Sequence, residues 1–160
     1  MPPKGFLRES SMTASHVYDK AKYHYDGDFP DELPIEQGFV HTGMFLGWVI
    51  DNDLYSEFLY TEASGYIESF KQRELTGAQV YEYACDGTFI DDMLTEAGNR
   101  FARDYFDFDK GSYLIDYDLT LTCNLPTLYH AENSWENYEK LRKVIDKRYA
   151  EWKAKNRINN

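Results

Sequence analysis

Four histidines, at positions 16, 24, 41 and 130, and two cysteines, Cys85 and Cys123, are the side chains through which this 160-residue chain could ligate a metal or attack an electrophile. Local metal sites announce themselves by spacings such as H-x3-H, HExxH or CxxC, and none is present. Distant residues can also assemble a site, but the spacing gives no sign of one. The expectation is therefore no metal, no cofactor and no catalysis; stoichiometric metal on His24, His41 or His130 would overturn it. Ser, His and Asp occur without a G-x-S-x-G elbow, and the glycines are too scattered for a phosphate-cradling loop. Cys85 sits near an expected helix C-terminus, where the helix dipole raises a thiol pKa, so it reads as a small buried filler. His41 lies in the most apolar stretch and reads as a hydrogen-bonded core histidine. His130 reads as a packing or capping residue.

Carboxylates are the more abundant chemistry. The segment DGDFPDE places Asp26, Asp28, Asp31 and Glu32 in one turn-rich loop that resembles the start of a calcium loop. The twelfth position from Asp26 is Gln37, where such a loop needs Glu. A second frame runs from Asp51 to Glu62 but has Ser56 where the sharp turn needs Gly. Neither is an EF-hand. The loop reads as a solvated segment or a binding surface.

The charge is lopsided. The chain has 28 acids against 17 bases, a net of -11, and residues 19–118 alone carry a net of -15. Eight bases crowd between Lys140 and Arg157. An acidic body disfavours nucleic acid, whose phosphates need a contiguous positive surface. It suits a cationic protein partner, or simply keeps the domain soluble. The candidate contact residues are the acids of four clusters: Asp26, Asp28, Asp31 and Glu32; Asp51, Asp53 and Glu57 with Tyr55; Asp86, Asp91 and Asp92; and Asp104, Asp107 and Asp109. Charge reversal at Asp51, Asp53 and Glu57 is expected to slow association and leave stability almost unchanged. Fourteen tyrosines, many set among these acids, offer rigid contact area, although most individual rings belong in a core.

These side chains must be held by helices. Residues 1–14 read as a loose arm and 15–157 as one all-α domain of six or seven helices. Ser15 is expected to cap a short helix through Tyr23. From Ile35 to about Ile50, apolar residues surround the whole circumference, so this helix is central and buried. Gly43 and Gly47 on one side would let a neighbour approach closely. Helices follow at about 55–72, at 77–85 after the Thr76 cap, and at roughly 89–106 after a Thr88 cap. Residues 112–122 fit a strand by alternation and a helix by the Ser112 cap; with no partner strand in view, helix is the reading. Ser134 caps the clearest helix, with Trp135, Tyr138, Leu141, Ile145, Tyr149 and Trp152 in one stripe. Glu136/Lys140, Glu139/Lys143 and Glu151/Lys155 form i,i+4 pairs on its other side. No apolar run approaches the ~18 residues of a membrane span. The start, MPPKGFLRESSMT, has no apolar signal region, so the expectation is a cytoplasmic protein.

Two segments, QGFVHTGMFLGWVIDNDLYS at 37–56 and LPTLYHAENSWENYEKLRKVIDKRYAEWK at 125–153, carry a resemblance. Together they resemble a family of small acidic bacterial proteins of uncharacterised function with FVHxGMxLGW and YHxxxSWENYxxLxxVIDxRYxxW helices. The resemblance implies a mostly helical, single-domain, cytoplasmic protein similar to the immunity proteins encoded beside interbacterial toxins. It implies no catalytic residue set. The expected partner is a cognate toxin acting in the cytoplasm, such as a nuclease with a cationic cleft, plugged by an acidic surface. The alternatives are a small-ligand binder or enzyme with a pocket around His41, Trp48 and His130, and an acidic adaptor that inhibits nothing.

Overall fold

The uniformly apolar run after Phe39 does become the centre of the molecule. In the computed structural model, which describes residues 15–156, every residue from Val40 to Ile50 is buried. The arm expected over residues 1–14 and the domain end expected at 157 lie outside the described residues. The chain is mostly helical, with seven α-helices and a two-stranded sheet: β1 (Val17–Lys20), α1 (Lys22–Tyr25), α2 (Val40–Asp51), α3 (Glu57–Lys71), α4 (Gly77–Tyr83), β2 (Thr88–Ile90), α5 (Glu96–Tyr105), α6 (Tyr113–Tyr117) and α7 (Trp135–Asn156). Pro34 leads into a 3-10 turn over Ile35–Phe39, which runs directly into α2.

Two glycine positions set how closely the helices meet. A Cβ on Gly43 would overlap the backbone of Ala78, and one on Gly77 would overlap the Gly43 carbonyl. Helices α2 and α4 therefore cross backbone to backbone, as the glycine spacing implies. Gly47 faces the Phe70 ring of α3 instead. The caps explain where these helices begin. Ser56 accepts from Leu59 N–H, and Thr76 and Gln79 form a reciprocal capping box. Helix α3 carries one non-helical residue, Ala63, where it kinks.

Around α2 lies an aromatic core. Trp48 is fully buried against Phe45, Phe101 and Tyr149, and its indole N–H donates to Asp146 Oδ1 at 2.8 Å. Helix α7 closes this core with Tyr138, Leu141, Ile145 and Tyr149, the stripe read from sequence. On its other side Glu136 pairs with Lys140 at 3.8 Å, whereas Glu139 takes Arg142 at 2.9 Å and Glu151 takes Arg148. Arg148 also reaches the buried Asp116 with two hydrogen bonds of 2.9 Å, fixing α6 to α7.

The expected helix from Ser15 to Tyr23 is corrected. Residues 17–20 form β1, paired antiparallel with β2 so that Asp19 lies opposite Phe89. The Ser15 hydroxyl donates to Asp92 rather than capping a helix. The expected helix at 89–106 likewise begins late: Thr88–Ile90 is β2, a 3-10 turn follows, and the true cap is Thr95, which accepts from Gly98 N–H. Residues 112–122 are helical, as α6 and then a π-helical turn over Asp118–Thr122, but Ser112 makes no side-chain cap. Among the described residues no helix is long and apolar enough to cross a membrane.

Candidate functional site

A strand residue that faces inward must be apolar or find partners, and Asp19 is a buried carboxylate on β1. Its partners come from two other elements. Thr42, on α2, donates its hydroxyl to Asp19 Oδ2 at 2.6 Å. His24, on α1, places Nε2 2.8 Å from Oδ1 and 3.1 Å from Oδ2. The neighbouring residue on α2, His41, brings its own Nε2 to 3.2 Å from His24 Nε2 and 3.7 Å from Asp19 Oδ2. Three ligand-type atoms thus converge from a strand, a one-turn helix and the central helix.

A fourth segment steadies them. Tyr129, on a 3-10 turn at Leu128–His130, bonds through its hydroxyl to His24 Nδ1 at 2.8 Å. Gln37 holds that turn by donating to the carbonyls of Tyr129 and Ala131, each at 2.8 Å. Tyr113 donates to the His41 carbonyl, and the Phe108 ring covers both imidazoles. Burial, with His24 alongside, outweighs the pull of Asp19 and pushes the His41 pKa down to about 3, so this imidazole is neutral. Burial also raises the Tyr129 hydroxyl, and the carboxylates of Asp19 and Asp28 add to that rise. His41 Nδ1 is buried without a hydrogen-bond partner, as is the hydroxyl of Tyr117, whose ring centroid is 6.2 Å from that of His41.

The acids singled out in the sequence are distributed differently from one another. Asp26, Asp28 and Asp31 are exposed and make no side-chain hydrogen bond or ion pair among the described residues. Glu32, beside them, lies 3.3 Å from His130 Nε2; its own backbone N–H and then His130 hold its carboxyl below the usual range. Glu57 and Asp109 are exposed, and Asp86 is exposed in a turn with φ 52°.

The remaining candidates are tied into the fold. Asp51 is half-buried, accepting from Tyr138 OH at 2.6 Å and from the Arg73 guanidinium. Asp53 and Tyr55 both accept from Lys71. Asp91 accepts from Arg103 at 3.3 Å, Asp92 from Ser15, and Asp104 from the Trp152 indole at 2.7 Å. Asp107 accepts from the backbone N–H groups of Asp109 and Lys110, which lowers its pKa. The turn around Asp51 is therefore a mixed-charge cluster rather than a bare acidic patch. Reversing Asp51 would break the contacts that join α2 to the turn after α3 and to α7, so it cannot act on association alone.

His41, Trp48 and His130 do not share one surrounding. Trp48 belongs to the aromatic core, while His130 turns to Thr127 Oγ1 at 2.9 Å and to Glu32. Cys85 is fully buried, and burial pushes its thiol up to about 12, in keeping with a filler role.

The architecture defines a mostly helical domain whose one small sheet presents a buried carboxylate to a pair of histidines. The chain belongs to the family described as Domain of unknown function (DUF7832), which matches residues 17–131. That range includes Asp19, His24, His41 and Tyr129 and stops before α7. No curated protein and no solved structure matches the chain.

Proposed function

We propose that this protein is an immunity-type inhibitor that binds a cytoplasmically acting toxin with a cationic cleft, using the exposed acidic segment between α1 and α2. One observation carries the reading: Asp26, Asp28 and Asp31 stand exposed in a single stretch of chain, with no side-chain hydrogen bond or ion pair among the described residues. Glu32 and Glu36 add exposed charge, and Tyr23 and Ile35 add exposed apolar surface, at 58% and 52% exposure. Acids with no role in the fold are free to steer a positive partner, and adjacent apolar side chains supply the desolvated contact that charge alone does not. The bases of α7 are partly spent on Asp116, Glu136 and Glu139. The resemblance carried by the two helical segments supports the same reading.

The test is co-expression with the product of the adjacent gene. The parent chain protects the host cell, and the variant carrying Asp26→Lys, Asp28→Lys and Asp31→Lys protects poorly while retaining its melting temperature. Protection by that variant at the parent's level contradicts the segment's role. Binding of the gene product without loss of its toxicity would favour an adaptor instead.

A further inference from the structure

We propose that Asp19, His24 and His41 form a binding site for a divalent transition-metal cation of the zinc type. The proposal is independent of the protein-binding reading above. It rests on the geometry of three atoms. His24 Nε2 stands 3.1 Å from Asp19 Oδ2 and 3.2 Å from His41 Nε2, and His41 Nε2 stands 3.7 Å from that same Oδ2. Ligands held tetrahedrally at zinc bond lengths lie roughly 3.3 Å from one another, so this triangle has the size of one face of such a shell. All three residues offer one ligand atom within 4.8 Å of the others.

If each imidazole carries a single proton, the contacts of this triangle are not all met. With the proton on His24 Nε2, Asp19 is satisfied, but that one N–H must also serve His41 Nε2, 3.2 Å away. With the proton on His41 Nε2 instead, the lone pair of His24 Nε2 confronts the carboxylate 2.8 Å away. A cation accepts an electron pair from all three atoms at once. It also balances a carboxylate that is only 3% exposed, beside a histidine that is 1% exposed.

Two of the three ligands have the outer contacts a ligating set needs. His24 coordinating through Nε2 donates its Nδ1 proton to Tyr129 OH, and Thr42 fixes Asp19. Two imidazoles and one carboxylate select zinc, cobalt or ferrous iron over calcium and magnesium, which prefer all-oxygen shells.

The test uses the full chain stripped with chelator and titrated with Co2+ and Zn2+. One equivalent of Co2+ should bind and show the visible absorption of a low-coordinate cobalt centre, displaced by Zn2+ but not by Mg2+. His24→Gln and Asp19→Asn should weaken binding at least about 100-fold, and Tyr129→Phe roughly 10–100-fold. His130→Gln, at the neighbouring Glu32 pair, should bind as the parent does. Should a ligand variant fail to fold, the histidine side-chain nitrogen resonances of the parent decide: Zn2+ must shift those of His24 and His41. No uptake by the parent overturns the proposal. Uptake that survives His24→Gln, or that vanishes with His130→Gln, overturns it as well.

Discussion

Residues of one type divide sharply by surroundings in this protein, and the two cysteines show it simply. Cys85 is fully buried with its thiol pKa pushed up to about 12, whereas Cys123 is exposed. The thiolate is the reactive form, so burial and the raised pKa act in the same direction. A thiol reagent at neutral pH should therefore label one cysteine per folded chain, Cys123, and two after denaturation. Rapid labelling of Cys85 in the folded protein would contradict its place in the core. The histidines divide in the same way. His41 was recognisable as a core residue from its apolar neighbours, yet its partners Asp19 and His24 were not. They lie 22 and 17 positions earlier, and Tyr129 lies 88 positions later. No local spacing encodes a cluster assembled from four separated segments. Asp19 in particular gave no signal because the strand that turns it inward was itself read as helix.

At the scale of elements, legibility followed length and pattern. The 22-residue helix α7 and the all-round apolar helix α2 dominate their windows, so periodicity alone placed them. Strands of four and three residues are too short to show an alternation, and Ser15 and Thr88, good caps by type, serve other purposes. The Gly43–Gly77 crossing is the element contact that sequence best anticipated. Gly43→Ala inserts a methyl group into the Ala78 backbone, which cannot rotate aside. The expected cost is about 1–3 kcal/mol or more, read as a lower midpoint in urea with an unchanged slope. Gly65→Ala, where nothing lies within 4 Å of the added carbon, should be neutral or slightly stabilising. Equal stability of the two variants would mean that α2 and α4 do not meet as described.

For the whole molecule, the core and the acidic segment are separate assets. Trp48→Ala empties a fully buried site and removes the hydrogen bond to Asp146, and should cost roughly 3–5 kcal/mol. That loss would remove the proposed protection through loss of fold. A melting temperature within a degree or two of the parent would refute the central-helix assignment. Reversal of Asp26, Asp28 and Asp31 should do the opposite, because these side chains hold nothing together. Their proposed role as a steering surface depends on the net field, which the sequence composition displays. Which acids are free to provide it became visible only when Asp51, Asp53, Asp91, Asp104 and Asp107 were seen to be engaged. The most direct measurement is the association rate of the parent and of the Asp26→Lys, Asp28→Lys, Asp31→Lys variant with the product of the adjacent gene, the proposed toxin, across a series of salt concentrations. Electrostatic steering predicts that the variant associates at least about tenfold more slowly at low salt, with a flatter salt dependence and an unchanged melting temperature. An unaltered rate and an unaltered salt dependence would contradict it.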